Sequence, residues 1–334
     1  MSMFRVNCRG IRDIIADKHT KIAKEIIEII AKRAKKMANE TMDSFDRLNL
    51  AVESAPKDIE DLSSIRETMS GAPNEIQKLN NEIASGMKVY KILEEFQYQF
   101  GEDEDFDRQW RLFGSPGDTY EKISKQGNYL DKEKDKFVSI MQADQSEFLH
   151  KLTELQNEVT AFDQHFEFDS YEEVAVKARA LQDKLTAATN QAKLYNKNES
   201  LTGIEETPYD DIKESQQMFT PYFELWTNIQ DWEGNMKSWL NDDFLSLDPT
   251  KLEESVGDAQ RIINKNLKLF RNKNMNKIVK VAEVIQERIS DFAPSVNMLC
   301  AMLTEGMKDR HWSAISEAAG MEIKPYEGFT VKNI

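Results

Sequence analysis

The chain has 334 residues, of which 31% are charged and 40% hydrophobic, at a net charge of −15. That apolar content supports buried cores and excludes a disordered polymer, and the length allows two or three domains. Thirteen Gly and eight Pro are too few for a β-sandwich or an α/β fold, which need a turn about every ten residues. The acidity argues against nucleic acid as a general partner, because phosphate binding needs basic clusters.

The first forty residues run against the rest, with ten Lys or Arg (among them Lys32, Arg33, Lys35 and Lys36) and five Asp or Glu. The plain reading is a solvated basic helix face rather than an anionic docking site. Cys8 and Cys300 are the only cysteines, and no signal peptide is recognisable, so reduced thiols and an intracellular chain are expected. No apolar run approaches the ~18–20 residues that span a bilayer, and no membrane partner is expected. The terminal "YEGFTVKNI" has the look of a segment continuing into something longer.

In chain order, the apolar spacing is three and four throughout. The first predicted helix carries Ile11, Ile15, Ile22, Ile26 and Ile29 or Ile30; the next carries Ile76, Leu79, Ile83, Met87 and Tyr90. The longest run is Phe148, Leu152, Leu155, Val159, Phe162 and Phe166. Such stripes have a period near 3.5 and are those of antiparallel helical bundles. Breaks are predicted near 54–57, 71–73, 101–118, 198–208 and 246–249, with every proline at a helix start or stop. Asp248-Pro249 is the clearest start, an N-cap followed by a first-turn proline, with Leu247 and Leu252 placed for a hydrophobic staple; Thr207-Pro208 and Thr220-Pro221 repeat the pattern. Trp110, after "GEDEDFD", falls in a predicted loop-rich connection. The expectation is an all-α protein, an elongated stack of antiparallel bundles of seven to nine helices, divided as 1–100, 101–207 with a long central helix, and 208–334. No repeat of fixed period points to a regular solenoid.

Familiar chemistry is missing from the sequence. Neither the phosphate-cradling Gly-x-x-x-x-Gly-Lys-Ser/Thr loop nor Gly-x-Gly-x-x-Gly occurs. Glu147 and His150 form one Glu-x-x-His, the spacing used on one face of di-iron bundles. The second such pair is missing, since His19, His165 and His311 have no Glu three residues before them, so the match is a chance one. The run "MKDRHW" (307–312) combines residue types common in active sites. On a predicted helix over 295–319, however, Arg310, His311 and Trp312 point in diverging directions, whereas a catalytic group needs convergence. A structural role is expected: Trp312 and His311 wedged between helices, Arg310 in a forked ion pair. No catalytic, cofactor or metal site is expected.

The densest stretch is "TPYFELWTNIQDWEGNMKSWLNDDFLSLDPTKLE" (220–253). Tyr222, Leu225, Ile229, Trp232, Met236 and Trp239 step three and four along one face, with Trp226 beside it. An aromatic stripe of this kind is usually core, and burying indoles at roughly 1.5–3 kcal/mol each makes a stiff joint.

The order of these pieces resembles dynein heavy chains, where the stem, or tail, enters the linker before the AAA+ motor ring. The series is Leu225-Trp226, Trp232, Trp239, then Phe244 to Asp248, then Phe270 and Lys273, then Phe292-Ala293-Pro294, then Met307 to Trp312 and "GFTVKNI". Upstream, "NKNESLTGIEETPYDDI" (196–212), with Gly203, and "FRVNC" followed by "GIRDIIADKHTKIAKEII" are similar to stem segments of axonemal chains. The likeness is strongest from 195 to 334. It implies a non-catalytic segment of an ATP-hydrolysing microtubule motor, which transmits force and docks the motor to the axoneme of a cilium or flagellum, within the cytoskeleton. Implied partners are intermediate, light or second heavy chains and axonemal docking proteins, with the microtubule reached only indirectly. ATP and Mg would belong to the motor ring of the whole chain, with no cofactor in this segment. The alternative is a spectrin-like cytoskeletal crosslinker without a motor, which predicts helices but not the Leu-Trp to Arg-His-Trp series. No IQ-type motif is evident, since "VIQERISDF" lacks the basic-glycine pattern.

Overall fold

A computed structural model describes residues 7–100, 103–324, 326 and 329–333. Among the described residues there are eight α-helices, four short 3-10 turns and no strand: α1 (Arg9–Val52), α2 (Ile59–Glu95), α3 (Asp103–Ala161), α4 (Tyr171–Thr202), α5 (Asp210–Asn241), α6 (Pro249–Asn272), α7 (Asn276–Met302) and α8 (Asp309–Ala319). The protein is all-α, a set of helical bundles. Their lengths run from 11 to 59 residues, a wider spread than the spacing alone predicts. The chain divides into two compact units, Met1–Ala143 with Lys197–Glu205, and Asp144–Asn196 with Glu206–Ile334.

In the first unit α1 and α2 form an antiparallel hairpin. Ala31, Ala34, Ala38 and Phe45 of α1 pack with Ile76, Leu79, Ile83, Tyr90 and Leu93 of α2, and Leu112 of α3 closes the cluster. The alanines let the two backbones approach, and at Gly86 an added Cβ would lie 2.8 Å from the Met37 side chain. A second cluster joins Leu62 and Ile65 to Leu130 of α3. At the loop end, Lys122 pairs with Glu53 at 2.9 Å and Gln126 Nε2 donates to the Ser54 carbonyl at 2.9 Å.

Two expectations for this unit are overturned. The predicted break at 71–73 is absent: α2 runs through Pro73, held by Ala72 and Ile76, which are 1% and 0% exposed. The loop placed over 101–118 is also helix, since α3 begins at Asp103 and continues through Pro116.

In the second unit α5 is central. Phe219 packs edge-on against Phe162 at 5.1 Å, and Tyr222 faces Phe270 of α6 at 5.3 Å. The stripe from Phe148 to Phe162 is largely buried as expected, but the chain leaves α3 before Phe166, which is 38% exposed. Asp248 caps α6 as the sequence predicts, accepting from the backbone N–H groups of Thr250 and Lys251. Thr220-Pro221 does not start a helix. It lies inside α5, where the Thr220 hydroxyl donates to the Gln216 carbonyl one turn back. Pro294 is likewise inside α7. At the end of α4, Gly203 adopts φ +72°, the left-handed conformation that glycine takes at a helix C-terminus without steric cost. No helix among the described residues is long and apolar enough to cross a membrane.

Candidate functional site

The residues singled out by the sequence lie in α5, α7 and α8, and they form two aromatic assemblies. The first is built by the three-four spacing of α5. Trp232 and Trp239 are two turns apart on one face, with ring centroids 5.8 Å apart and planes at 84°. Phe292 of α7 completes a triad, stacked on Trp239 at 5.6 Å and 6°, and edge-on to Trp232 at 5.9 Å. Trp232 and Trp239 are 3% and 8% exposed. Edge-to-face and stacked rings at these separations contribute about 0.5–1.5 kcal/mol per pair beyond area burial. Trp226 is 0% exposed. Its indole N–H and the side-chain amide of the equally buried Asn266 on α6 find no hydrogen-bond partner among the described residues. Burying such groups costs about 1–3 kcal/mol each, so the surrounding apolar packing holds them in place.

Salt bridges surround this assembly. Arg288 of α7 reaches Glu233 of α5 at 2.7 Å and lies 4.6 Å over the Phe168 ring. Lys265 of α6 pairs with Glu224 at 2.7 Å, and Arg271 with Glu283 at 2.7 Å. These pairs are partly exposed, where each contributes about 0–1 kcal/mol. Their effect is to fix the register of α5, α6 and α7 rather than to supply bulk stability.

The second assembly gathers the end of the chain. Phe244, Leu299, Met302, Trp312, Ile323 and Phe329 form one cluster. Phe244 sits 6.3 Å from the Trp312 ring and 5.7 Å from Phe329, edge-on to both. The Phe244 N–H also donates to the Phe329 carbonyl at 2.8 Å. Ser316 ties the following segment to α8, accepting from the Ile323 N–H at 2.8 Å. The sequence signal missed this returning segment, because Ile323 and Phe329 stand alone between polar residues and show no helical period.

The run at 307–312 departs from its sequence reading in three ways. The predicted helix over 295–319 is interrupted, ending at Met302 and restarting at Asp309 with Gly306 at φ +99° between. Arg310 forms no forked ion pair: among the described residues its contact is Nε to His311 Nε2 at 3.1 Å. His311 does not wedge between helices but caps its own, since Nδ1 accepts from the Lys308 N–H at 3.2 Å. A neutral imidazole accepts at one nitrogen only, so with Nδ1 accepting, Nε2 carries the proton and the Arg310 contact adds no hydrogen bond. Trp312 alone of the three is buried, at 5%, because it faces Phe244, while Arg310 is exposed and His311 half-buried.

Glu147 makes an ion pair with Lys151 at 2.7 Å. Hydrogen bonding and charge from Lys151 hold its carboxyl below the usual range. Among the described residues no group of three His, Cys, Asp or Glu is placed to hold a metal. Cys8 and Cys300 are free. Burial pushes the Cys300 thiol up, which disfavours the reactive thiolate.

Comparison with known proteins bears on these residues. A family model described as "Dynein heavy chain, N-terminal region 2" matches residues 212–334, which takes in both aromatic assemblies. "Dynein axonemal heavy chain 1" of Homo sapiens is 30% identical over 329 residues, 98% of this chain and 8% of the relative. Its Mus musculus counterpart is 28% identical over 327 residues, again 98% of this chain and 8% of the relative. "Dynein axonemal heavy chain 3" of Homo sapiens is 28% identical over 158 residues, 47% of this chain and 4% of the relative. With likeness extending over 98% of its residues and the family model covering its C-terminal third, the chain corresponds to part of the N-terminal region of axonemal dynein heavy chains, of whose length it spans 8%.

Proposed function

We propose that the chain is a force-bearing stem segment running into the start of the linker, which passes displacement from an ATP-driven AAA+ motor to the axoneme and docks associated chains. The carrying observation is the pair of aromatic assemblies within the stretch that matches the dynein family model. Packed interiors have low compressibility and transmit strain, and α5, α6 and α7 are further held in register by charged pairs between them. The names of the relatives point to an axoneme. ATP and Mg then act in the ring of the whole chain, and the microtubule is reached only indirectly from this segment. Partners would be other dynein subunits and axonemal docking proteins.

The test uses a full-length heavy chain carrying Trp239→Ala. Loosening the α5–α7 joint should slow microtubule gliding severalfold while basal ATP hydrolysis persists. Loss of hydrolysis with the fold intact would give these residues a chemical role, and unchanged gliding would remove them from the force path.

A further inference from the structure

We propose that the connection between α3 and α4, residues 162–171, is a strap that clamps α7 to α5 through cations seated on its aromatic rings, and that its seating keeps the Trp232–Trp239–Phe292 joint closed. The proposal goes beyond the function above and holds whether or not that joint bears force.

The connection reads "FDQHFEFDSY" and ends at Tyr171, the first residue of α4. Each of its four aromatics meets α5 or α7. Phe162 is buried and packs edge-on against Phe219 and Tyr222 of α5 at 5.1 and 6.1 Å. Lys277 Nζ, from the first turn of α7, lies 4.5 Å over the Phe166 ring. The Arg288 guanidinium, further along α7, lies 4.6 Å over Phe168. At the far end Lys237 of α5 lies 5.9 Å over Tyr171 and donates to its hydroxyl at 3.2 Å. The strap is therefore anchored on α5 at both ends and meets α7 twice in between.

Its length leaves little slack. The 3-10 turns at 162–164 and 168–170 rise about 2 Å per residue. His165 and Glu167 between them are extended, at about 3.3 Å per residue. On those rises Phe162 to Tyr171 spans about 23 Å, and α5 from Tyr222 to Lys237 is about 22 Å long. A strap so short follows a fixed path, so a cation seated on it holds α7 at a fixed place along α5. Lys277 and Arg288 lie within about 20° of one line on α7, so both reach the strap from one face.

The seats connect to the joint. Arg288 stands one turn before Phe292, and it bonds Glu233, the neighbour of Trp232, at 2.7 Å. A guanidinium stacked on a ring keeps its in-plane N–H donors free, so Phe168 below and Glu233 beside it fix Arg288 together. Phe166 is 38% exposed and Phe168 half-buried. A cation over a ring at such a site favours the seated state about two- to fivefold. Asp163, Glu167 and Asp169 of the strap are exposed. None of them is paired with Lys277 or Arg288 among the described residues, so they add a diffuse attraction that salt screens.

The test is amide hydrogen exchange of the chain, read by mass spectrometry over residues 280–296. Local opening of α7 sets that rate. Phe166→Leu with Phe168→Leu keeps apolar bulk and removes both ring faces, and should accelerate exchange there at least about fourfold. Phe166→Tyr with Phe168→Tyr keeps the faces and should stay near the parent. Lys277→Met leaves the strap intact and should accelerate exchange about two- to fivefold. These differences should persist in about 1 M salt, where the Debye length is about 3 Å. Three results would overturn the proposal: α7 exchange indifferent to the leucine pair, an effect erased by salt, or a rise shared equally by α4, α5 and α6. The first denies the clamp, the second assigns it to the carboxylates, and the third reduces it to a general loss of stability. No motor enters these measurements, so their failure is distinct from failure of the gliding test with Trp239→Ala.

Discussion

At the scale of single residues, burial decides which of the five tryptophans matters. Trp232 and Trp239 share a triad with Phe292, whereas Trp110 is 71% exposed and stacks only on the exposed Phe113. Truncating a buried Trp costs about 3–5 kcal/mol, so Trp232→Ala or Trp239→Ala should lower the urea midpoint of the second unit markedly. Trp110→Ala should change stability by less than about 0.5 kcal/mol; equal shifts would contradict the assigned core. Arg310 and His311 are ordered by the same logic. His311 closes the first turn of α8, and Arg310 is exposed without a carboxylate partner among the described residues. His311→Leu should cost about 0.5–2 kcal/mol, the usual range for losing a cap, while Arg310→Gln should be nearly neutral in thermal melts. His311→Gln should retain most of the stability, because glutamine at this position can make the same bond. Tyr222 gives a pH signature. Burial, with Asp163 adding to it, pushes its phenol up to about 12 from about 10 in an unfolded chain. Below pH about 10 it is neutral in both states and contributes no pH dependence. As pH rises from about 10 to 12 only the unfolded state ionises, so stability is lost across that window. Tyr222→Phe should flatten that part of the melting-temperature profile, and an unchanged profile would mean the hydroxyl is solvated.

At the scale of elements, the four prolines inside helices are the sharpest departure from the local signal. A proline removes an i→i−4 donor and crowds the preceding turn, which is why 71–73 looks like a boundary from the sequence. In the structure Pro73 is exposed while Ala72 and Ile76 are buried, so the apolar row of α2 continues through it. Pro73→Ala should then stabilise the first unit by about 2 kcal/mol. That figure is the ~3 kcal/mol cost of an interior proline less up to ~1 kcal/mol of entropy regained by the unfolded chain. A higher urea midpoint is the expected result; a lower one would show that a bend at Pro73 places Ile76 and Ile83. The isoleucines of α1 depart the other way. Their spacing is helical and the helix exists, but Ile11, Ile15, Ile22, Ile26 and Ile29 stay exposed among the described residues, because α2 ends opposite about residue 28 and covers only the face of Ile27 and Ile30.

At the scale of the whole molecule, the sequence holds no Gly-x-x-x-x-Gly-Lys-Ser/Thr loop, and many of its charged side chains pair along helix surfaces. The pure chain should therefore show no heat of ATP or Mg-ATP binding in calorimetry and no hydrolysis above background. Measurable binding would place a nucleotide site where the sequence has no phosphate loop. Under the proposed function, in a complete heavy chain, of whose relatives' length this chain spans 8%, it would act on where the motor's displacement goes rather than on how fast ATP turns over.

The helical character, the α6 cap at Asp248 and the buried face of α5 follow from the sequence, because each rests on neighbours three or four residues away or on a single cap. The dynein likeness is legible too, as an order of residues from Leu225 to Trp312. What the sequence does not reveal are the partners of those residues. Phe292 stacks on Trp239 across two helices, Phe329 returns to Phe244 from a segment without periodicity, and among the described residues Arg310 lacks the carboxylate its type leads one to expect. The proline breaks mislead for the same reason. Local propensity at Pro73 or Pro221 is worth a few kcal/mol, and burying the residues on either side outweighs it. That balance is set by what lies across the bundle, which only the tertiary structure determines.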